Sequence, residues 1–119
     1  MKSLVDLEKK INSELTTKIN DSKMNHGQLY IEIDSEDLLD VSLFLKTNKD
    51  TKFRQLIDIT AVDYPEKTKR FKLVYLFLSH EFNQRILINY FINENEVVPT
   101  LTKIFPSANW MEREVFAMY

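Results

Sequence analysis

The chain has 119 residues, 44% of them hydrophobic and 12% aromatic, which suffices for one domain with its own core. Sixteen basic residues stand against eighteen acidic ones, a net charge of −2 that offers no basic face for nucleic acid. With no cysteine there is no disulfide, no thiol nucleophile and no cysteine-ligated iron–sulfur cluster.

The first ten residues are charged throughout and lack the apolar core of a signal peptide. Ser3 is placed to cap a first helix, with Asp6 three residues on as a capping-box-like partner. Leu4, Leu7, Ile11, Leu15 and Ile19 recur at helical spacing and form one apolar stripe. Residues 20–25 are polar and read as a loop. From Gly27 to Ile33 the pattern alternates, with Leu29, Ile31 and Ile33 on one face, and predicts a half-buried strand. Ser35 is the expected cap of a second helix, whose buried side is assigned to Leu38, Val41 and Leu45 with Leu39 and Phe44 beside them.

Three strands are predicted next. The first, Phe53 to Val62, is stopped by Asp63-Tyr-Pro-Glu66. Phe71 to Leu78 is nearly all apolar and so belongs inside the sheet. Within it Leu73 to Leu78 is the longest apolar run, far below the ~20 residues of a membrane helix, so a soluble chain is expected, meeting a membrane only through partners. Arg85 to Ile92 alternates, and the short connection after Ser79 makes it the antiparallel hairpin partner of the strand before it. Pro99 then opens a short helix ending before Pro106, and Asn109 caps a final helix with Glu112 as its capping-box partner. The predicted order is α-β-α-β-β-β-α-α. It gives an α+β fold, a four-stranded mostly antiparallel sheet packed with helices, in a single domain over residues 1–119.

Few residues suggest chemistry. One glycine, Gly27, excludes a phosphate-binding loop, a dinucleotide fingerprint and a nucleophile elbow. His26 and His80 lie far apart in loops and do not make a metal site, which needs three or four ligands. Asp58 and Asp63 flank Thr60 and offer an acid–base pair in principle, but the polar face and the end of a strand explain them better. Tyr30, Tyr75 and Tyr90 suggest a stacking platform, but no basic groove accompanies them. Lys67, Lys69 and Arg70 share their turn with Glu66 and read as a solvated loop. In the last helix, apolar side chains surround most of the circumference around Glu112-Arg113-Glu114. Two readings stay open there: a terminal core helix whose charges bend to solvent, or a helix packed against a partner.

The second half also carries a resemblance. Leu56-Ile-Asp-Ile-Thr-Ala-Val-Asp-Tyr-Pro65, Arg70-Phe-Lys-Leu-Val-Tyr75, the hairpin to Arg85-Ile86 and Phe105-Pro-Ser-Ala-Asn-Trp-Met-Glu-Arg-Glu-Val-Phe116 occur in order and at matching spacing. In them the stretch from Phe53 to Tyr119 resembles the C-subunit family of proton-translocating NADH:quinone oxidoreductase, respiratory complex I. Residues before Phe53 are compatible in pattern only. The family signature runs Glu-Arg-Glu, two residues, an acid, two apolar or aromatic residues, then glycine. Glu112, Arg113, Glu114, Met118 and Tyr119 match it, whereas Ala117 stands where the family has Asp.

The resemblance implies the N-terminal domain of a longer subunit, whose tail wraps the neighbouring quinone-site subunit. It implies a peripheral, non-catalytic member of the hydrophilic arm without cofactor or metal, beside the quinone-site and terminal iron–sulfur-cluster subunits. The location implied is the cytoplasmic side of a bacterial inner membrane, or the matrix side of the mitochondrial one. Trp110, Glu112, Arg113, Glu114, Phe116 and Tyr119 are the expected partner interface, on a helix that docks on its own sheet with a frayed last turn. The alternatives are a small stand-alone enzyme using Asp58, Asp63 and His80, which a pocket joining those residues would favour, and an aromatic-faced nucleic-acid binder.

Overall fold

A computed structural model describes residues 3–93 and 96–116. Helix α1, Leu4–Glu14, begins where expected: Ser3 takes an extended backbone, and its hydroxyl accepts the Asp6 N–H at 3.1 Å. Leu7, Ile11 and Leu15 of the stripe are buried, and Leu4 and Ile19 pack partly against them. The helix stops before Ile19, with Leu15 as its C-cap.

The polar segment expected to be a loop is instead a strand, β1, Asp21–Asn25. It pairs antiparallel with β2, Gln28–Glu32, in register from Asp21↔Glu32 to Asn25↔Gln28. The two-residue connection His26-Gly27 has positive φ at both positions, 52° and 75°, the geometry that matches the twist of a tight hairpin. An edge strand without a buried face shows no apolar alternation, so periodicity does not reveal it. The Asn-His-Gly turn was the available signal.

The second helix differs at its start. Residues Ser35–Asp37 form a single 3₁₀ turn, and α2, Leu38–Thr47, follows. Ser35 is therefore not the cap; its hydroxyl bonds Glu96 instead. The buried side is Leu38, Val41 and Leu45 as expected, but Leu39 is 42% exposed and Phe44 only half-buried.

Strands β3 (Gln55–Asp63), β4 (Phe71–Ser79) and β5 (Gln84–Ile92) form an antiparallel meander. Strand β2 then joins β5 in parallel, Leu29 opposite Ile86. The result is a five-stranded mixed sheet, order β1-β2-β5-β4-β3, rather than a four-stranded one. The fifth strand is the polar β1. The parallel pair arises because α2 carries the chain back across the sheet between β2 and β3.

One face of the sheet carries the core. Leu29, Ile31, Leu73, Tyr75, Phe77, Ile86, Ile88 and Tyr90 are all fully buried there, in one cluster with the inward side chains of the helices. Tyr75 and Tyr90 bond each other through their hydroxyls at 2.7 Å inside this core, so they are not a stacking platform. Tyr30 is half-buried and bonds Gln28.

The short helix expected after Pro99 is absent. Ile104 and Phe105 N–H groups both donate to the Leu101 carbonyl in a single turn, and Pro106 ends it. The final helix, α3, spans Ala108–Phe116 and begins one residue before the expected cap Asn109. Ile88 sits at the middle of the central strand with no exposure, so Ile88→Ala leaves a cavity at the centre of the core. We expect a loss of about 2–5 kcal/mol in unfolding free energy, read from denaturant melts.

Candidate functional site

Helix α3 lies along β3, one of the two outer strands of the sheet, and its placement begins with Glu112. This side chain is 7% exposed and turned inward. One carboxyl oxygen accepts the Thr100 hydroxyl at 2.7 Å, and the other accepts the Leu101 N–H at 2.8 Å. It is thus not a capping-box partner of Asn109 but a tie between the helix and the preceding segment. A charged group removed from water demands such partners, since an unpaired one costs several kcal/mol. Ala108 and Val115 are buried on the same side, and the Ser107 hydroxyl donates to the Leu56 carbonyl at 3.3 Å.

The remaining signature residues diverge from Glu112. Trp110 is 57% exposed, Arg113 and Glu114 are exposed, and Met111 and Phe116 are half-buried. Tyr119, with Ala117 and Met118, lies outside the described residues, and so does the expected fraying of the last turn. Local spacing accounts for the split: Glu112 shares the inward side with Ala108 and Val115, at helical offsets of four and three.

A cleft of about 440 Å³ opens between α3 and β3. Asp58, Thr60 and Asp63 line one wall, and Trp110, Met111 and Glu114 the other. A β-bulge at Ile57 shapes the strand wall: Leu56 pairs with Phe77 and Asp58 with Leu76, leaving Ile57 extra and 41% exposed. Past the bulge the alternation reverses, so Ile59 takes the core side and Asp58 and Asp63 fall on opposite faces of the strand.

Asp63 is already engaged. Arg70 Nε and Nη2 reach its two oxygens at 2.7 and 2.9 Å, and this charge-assisted pair holds the Asp63 carboxyl below the usual carboxylate range. Asp58 Oδ1 accepts the N–H of Ile59 at 2.9 Å.

The three residues of the enzyme alternative are not brought together. Asp58 and Asp63 share the cleft, but His80 bonds Gln55 at 2.8 Å, at the first residue of β3, whereas Asp63 is the last. His26 sits in the β1–β2 turn, so the two histidines do not meet either. In the loop with Lys67, Lys69 and Arg70, Lys67 lies over the Tyr64 and Phe91 rings while Arg70 serves Asp63. Among the described residues no helix is long and apolar enough to cross a membrane.

Comparison with known proteins gives one consistent result. The family model described as "Respiratory-chain NADH dehydrogenase, 30 Kd subunit" matches residues 31–119. Among curated relatives, the C subunit of NADH-quinone oxidoreductase from Ruegeria pomeroyi is 48% identical over 93 residues, covering 78% of this chain and 46% of its own length. The C subunit from Ruegeria sp. (strain TM1040) is 40% identical over all 119 residues and 59% of its own length. That of Rhodospirillum rubrum is 37% identical over 119 residues and 56% of its length. The chain thus spans about half the length of the curated relatives it matches.

Two outcomes follow from this geometry. Glu112→Ala strands the buried Leu101 N–H and should lower stability by about 2–3 kcal/mol, while Glu112→Gln, which keeps an acceptor, should lose roughly half as much in the same melts. For Asp63 the folded carboxyl titrates below its ordinary value of 3.8, so its pairing stabilises fully above that pH and the contribution is lost as pH falls through the folded value. The melting-temperature gap between wild type and Asp63→Asn should therefore be widest near neutrality and close below pH 3.8.

Proposed function

Since this chain belongs to the family of 30 kDa subunits of respiratory-chain NADH dehydrogenase, we propose that it is a non-catalytic structural subunit of proton-translocating NADH:quinone oxidoreductase. In this reading it sits in the hydrophilic arm, peripheral to the membrane on the cytoplasmic or matrix side. There it holds the quinone-site subunit and the terminal iron–sulfur-cluster subunit in register, and supports electron transfer from NADH to quinone by position alone.

One observation carries the proposal: the signature helix divides its residues between two tasks. Glu112 spends its carboxyl inside the chain, fixing the helix to residues 100–101. Trp110, Arg113 and Glu114 are left at the surface, with Phe116 half-buried at the rim. An exposed Trp beside an Arg on a rigid element is the composition of an interface anchor. Glu112 acts as a positioning residue in this scheme, and Trp110, Arg113, Glu114, Phe116 and Tyr119 as the contact set.

The test is co-purification of the full-length subunit with its quinone-site neighbour. Trp110→Ala and Glu114→Ala should reduce recovery of the complex by about 30-fold and tenfold, corresponding to about 2 and 1.4 kcal/mol of binding, with the subunit's own melting temperature unchanged. A parallel fall in assembly and melting temperature would show a plain core helix instead. The isolated subunit should oxidise no NADH; NADH oxidation by it would sink the non-catalytic reading.

A further inference from the structure

We infer that the α3–β3 cleft is a receptor for an extended partner segment bearing an arginine, with the guanidinium seated between Trp110 and the carboxylates of Asp58 and Glu114. The inference rests on the assembly reading above and names the chemistry of what docks.

Charge is the first argument. Three acidic residues, Asp58, Asp63 and Glu114, are among those lining the cleft, and no Lys or Arg is among its described lining residues. Arg70 satisfies Asp63 from its own turn, but no ion pair among the described residues engages Asp58 or Glu114. Acidic residues along one cleft favour a cation there over an anion or a neutral group.

The walls select which cation. Trp110, Met111, Val115 and Ile59 are apolar, and the indole is more than half exposed. A guanidinium stacks on an indole face, forks onto a carboxylate and lays its aliphatic stem along apolar side chains. A compact, strongly hydrated ammonium uses the carboxylates but gains less from the rest.

Shape then favours a segment over a small molecule. Beyond Met111 a second cleft continues along β3, lined by Gln55, Ile57 and Pro106 among others, and Met111 borders both. The pair of clefts follows the chain from Arg54, just before β3, to Asp63 at its end. At ~3.3 Å per residue that path matches an extended peptide of similar length. Strand β3 is also the last in the sheet; past the Leu56 carbonyl, which Ser107 takes, no described strand pairs with its outer edge, where an added segment would find backbone partners.

Trp110 is the chain's single tryptophan and stands in the cleft wall, so its fluorescence reports occupancy directly. The probe is a capped nine-residue peptide alternating Val and Thr, with one central Arg, titrated into the whole chain at low salt. A saturable change is expected, weakened about tenfold by Glu114→Gln and again by Asp58→Asn. It should also be suppressed at high ionic strength. Both variants keep a hydrogen-bond acceptor at an exposed position, and their melting temperatures should equal wild type.

The inference is overturned by an equal response to the same peptide with Glu for Arg, by equal binding of arginine amide alone, or by no saturable change at millimolar peptide. An unaltered affinity in both variants overturns it as well. These outcomes are separable from failure of the assembly reading, because that reading stands or falls on co-purification with the quinone-site subunit.

Discussion

The carboxyl of Glu112, pinned between the Thr100 hydroxyl and the Leu101 N–H, sets the geometry of everything on the β3 side of the molecule. Apart from it, α3 is held by the buried Ala108 and Val115, with Met111 and Phe116 partly packed against the core, contacts that fix its position less sharply than a bonded carboxyl does. Because the acceptor is buried, the two donors must meet it at one helix position and rotation. Hydrophobic contact is tolerant of small slides; a doubly bonded carboxyl in a dry site is not. The orientation of Trp110 and Glu114 toward the cleft is therefore a consequence of where Glu112 points.

The sheet faces a second constraint, since an open five-stranded sheet has two outer edges and each invites unwanted pairing. The two are protected differently. Strand β1 is short and wholly polar apart from Met24. Strand β3 is longer and more apolar, and it combines a bulge at Ile57 with the covering start of α3, where Ser107 meets the Leu56 carbonyl. The bulge also turns Asp58 away from the core, so edge protection and cleft chemistry share one irregularity.

How much of this was legible in the sequence depended on whether a residue's role is local. The Ser3 cap, the stripe Leu7-Ile11-Leu15 and the alternation of β2 and β5 are repeats that burial imposes at short range, and they are found where the periodicity puts them. Strand β1 has no buried face, and its existence follows from pairing with β2, which the sequence marks only by the His26-Gly27 turn. The segment after Pro99 has helix-compatible residues, yet its Thr100 and Leu101 donors are taken by Glu112, and one turn is all that fits before Pro106. The family signature was legible as a string. Its division into an inward Glu112 and an outward Trp110 and Glu114 depends on a contact eleven residues back in the chain, which no spacing rule conveys.

The parallel seam between β2 and β5 bears on the order in which the chain can become structured. The β3-β4-β5 meander closes through short turns and is available early, whereas Leu29 and Ile31 have to wait for Ile86 and Ile88 to complete their pairing. Closing so long a loop gains nothing until both ends are in place. During synthesis the N-terminal helices and the β1–β2 hairpin emerge first and remain without their central strand until β5 has left the ribosome. The apolar faces of α1 and β2 are then the surfaces most in need of a chaperone, in a chain whose finished form buries them.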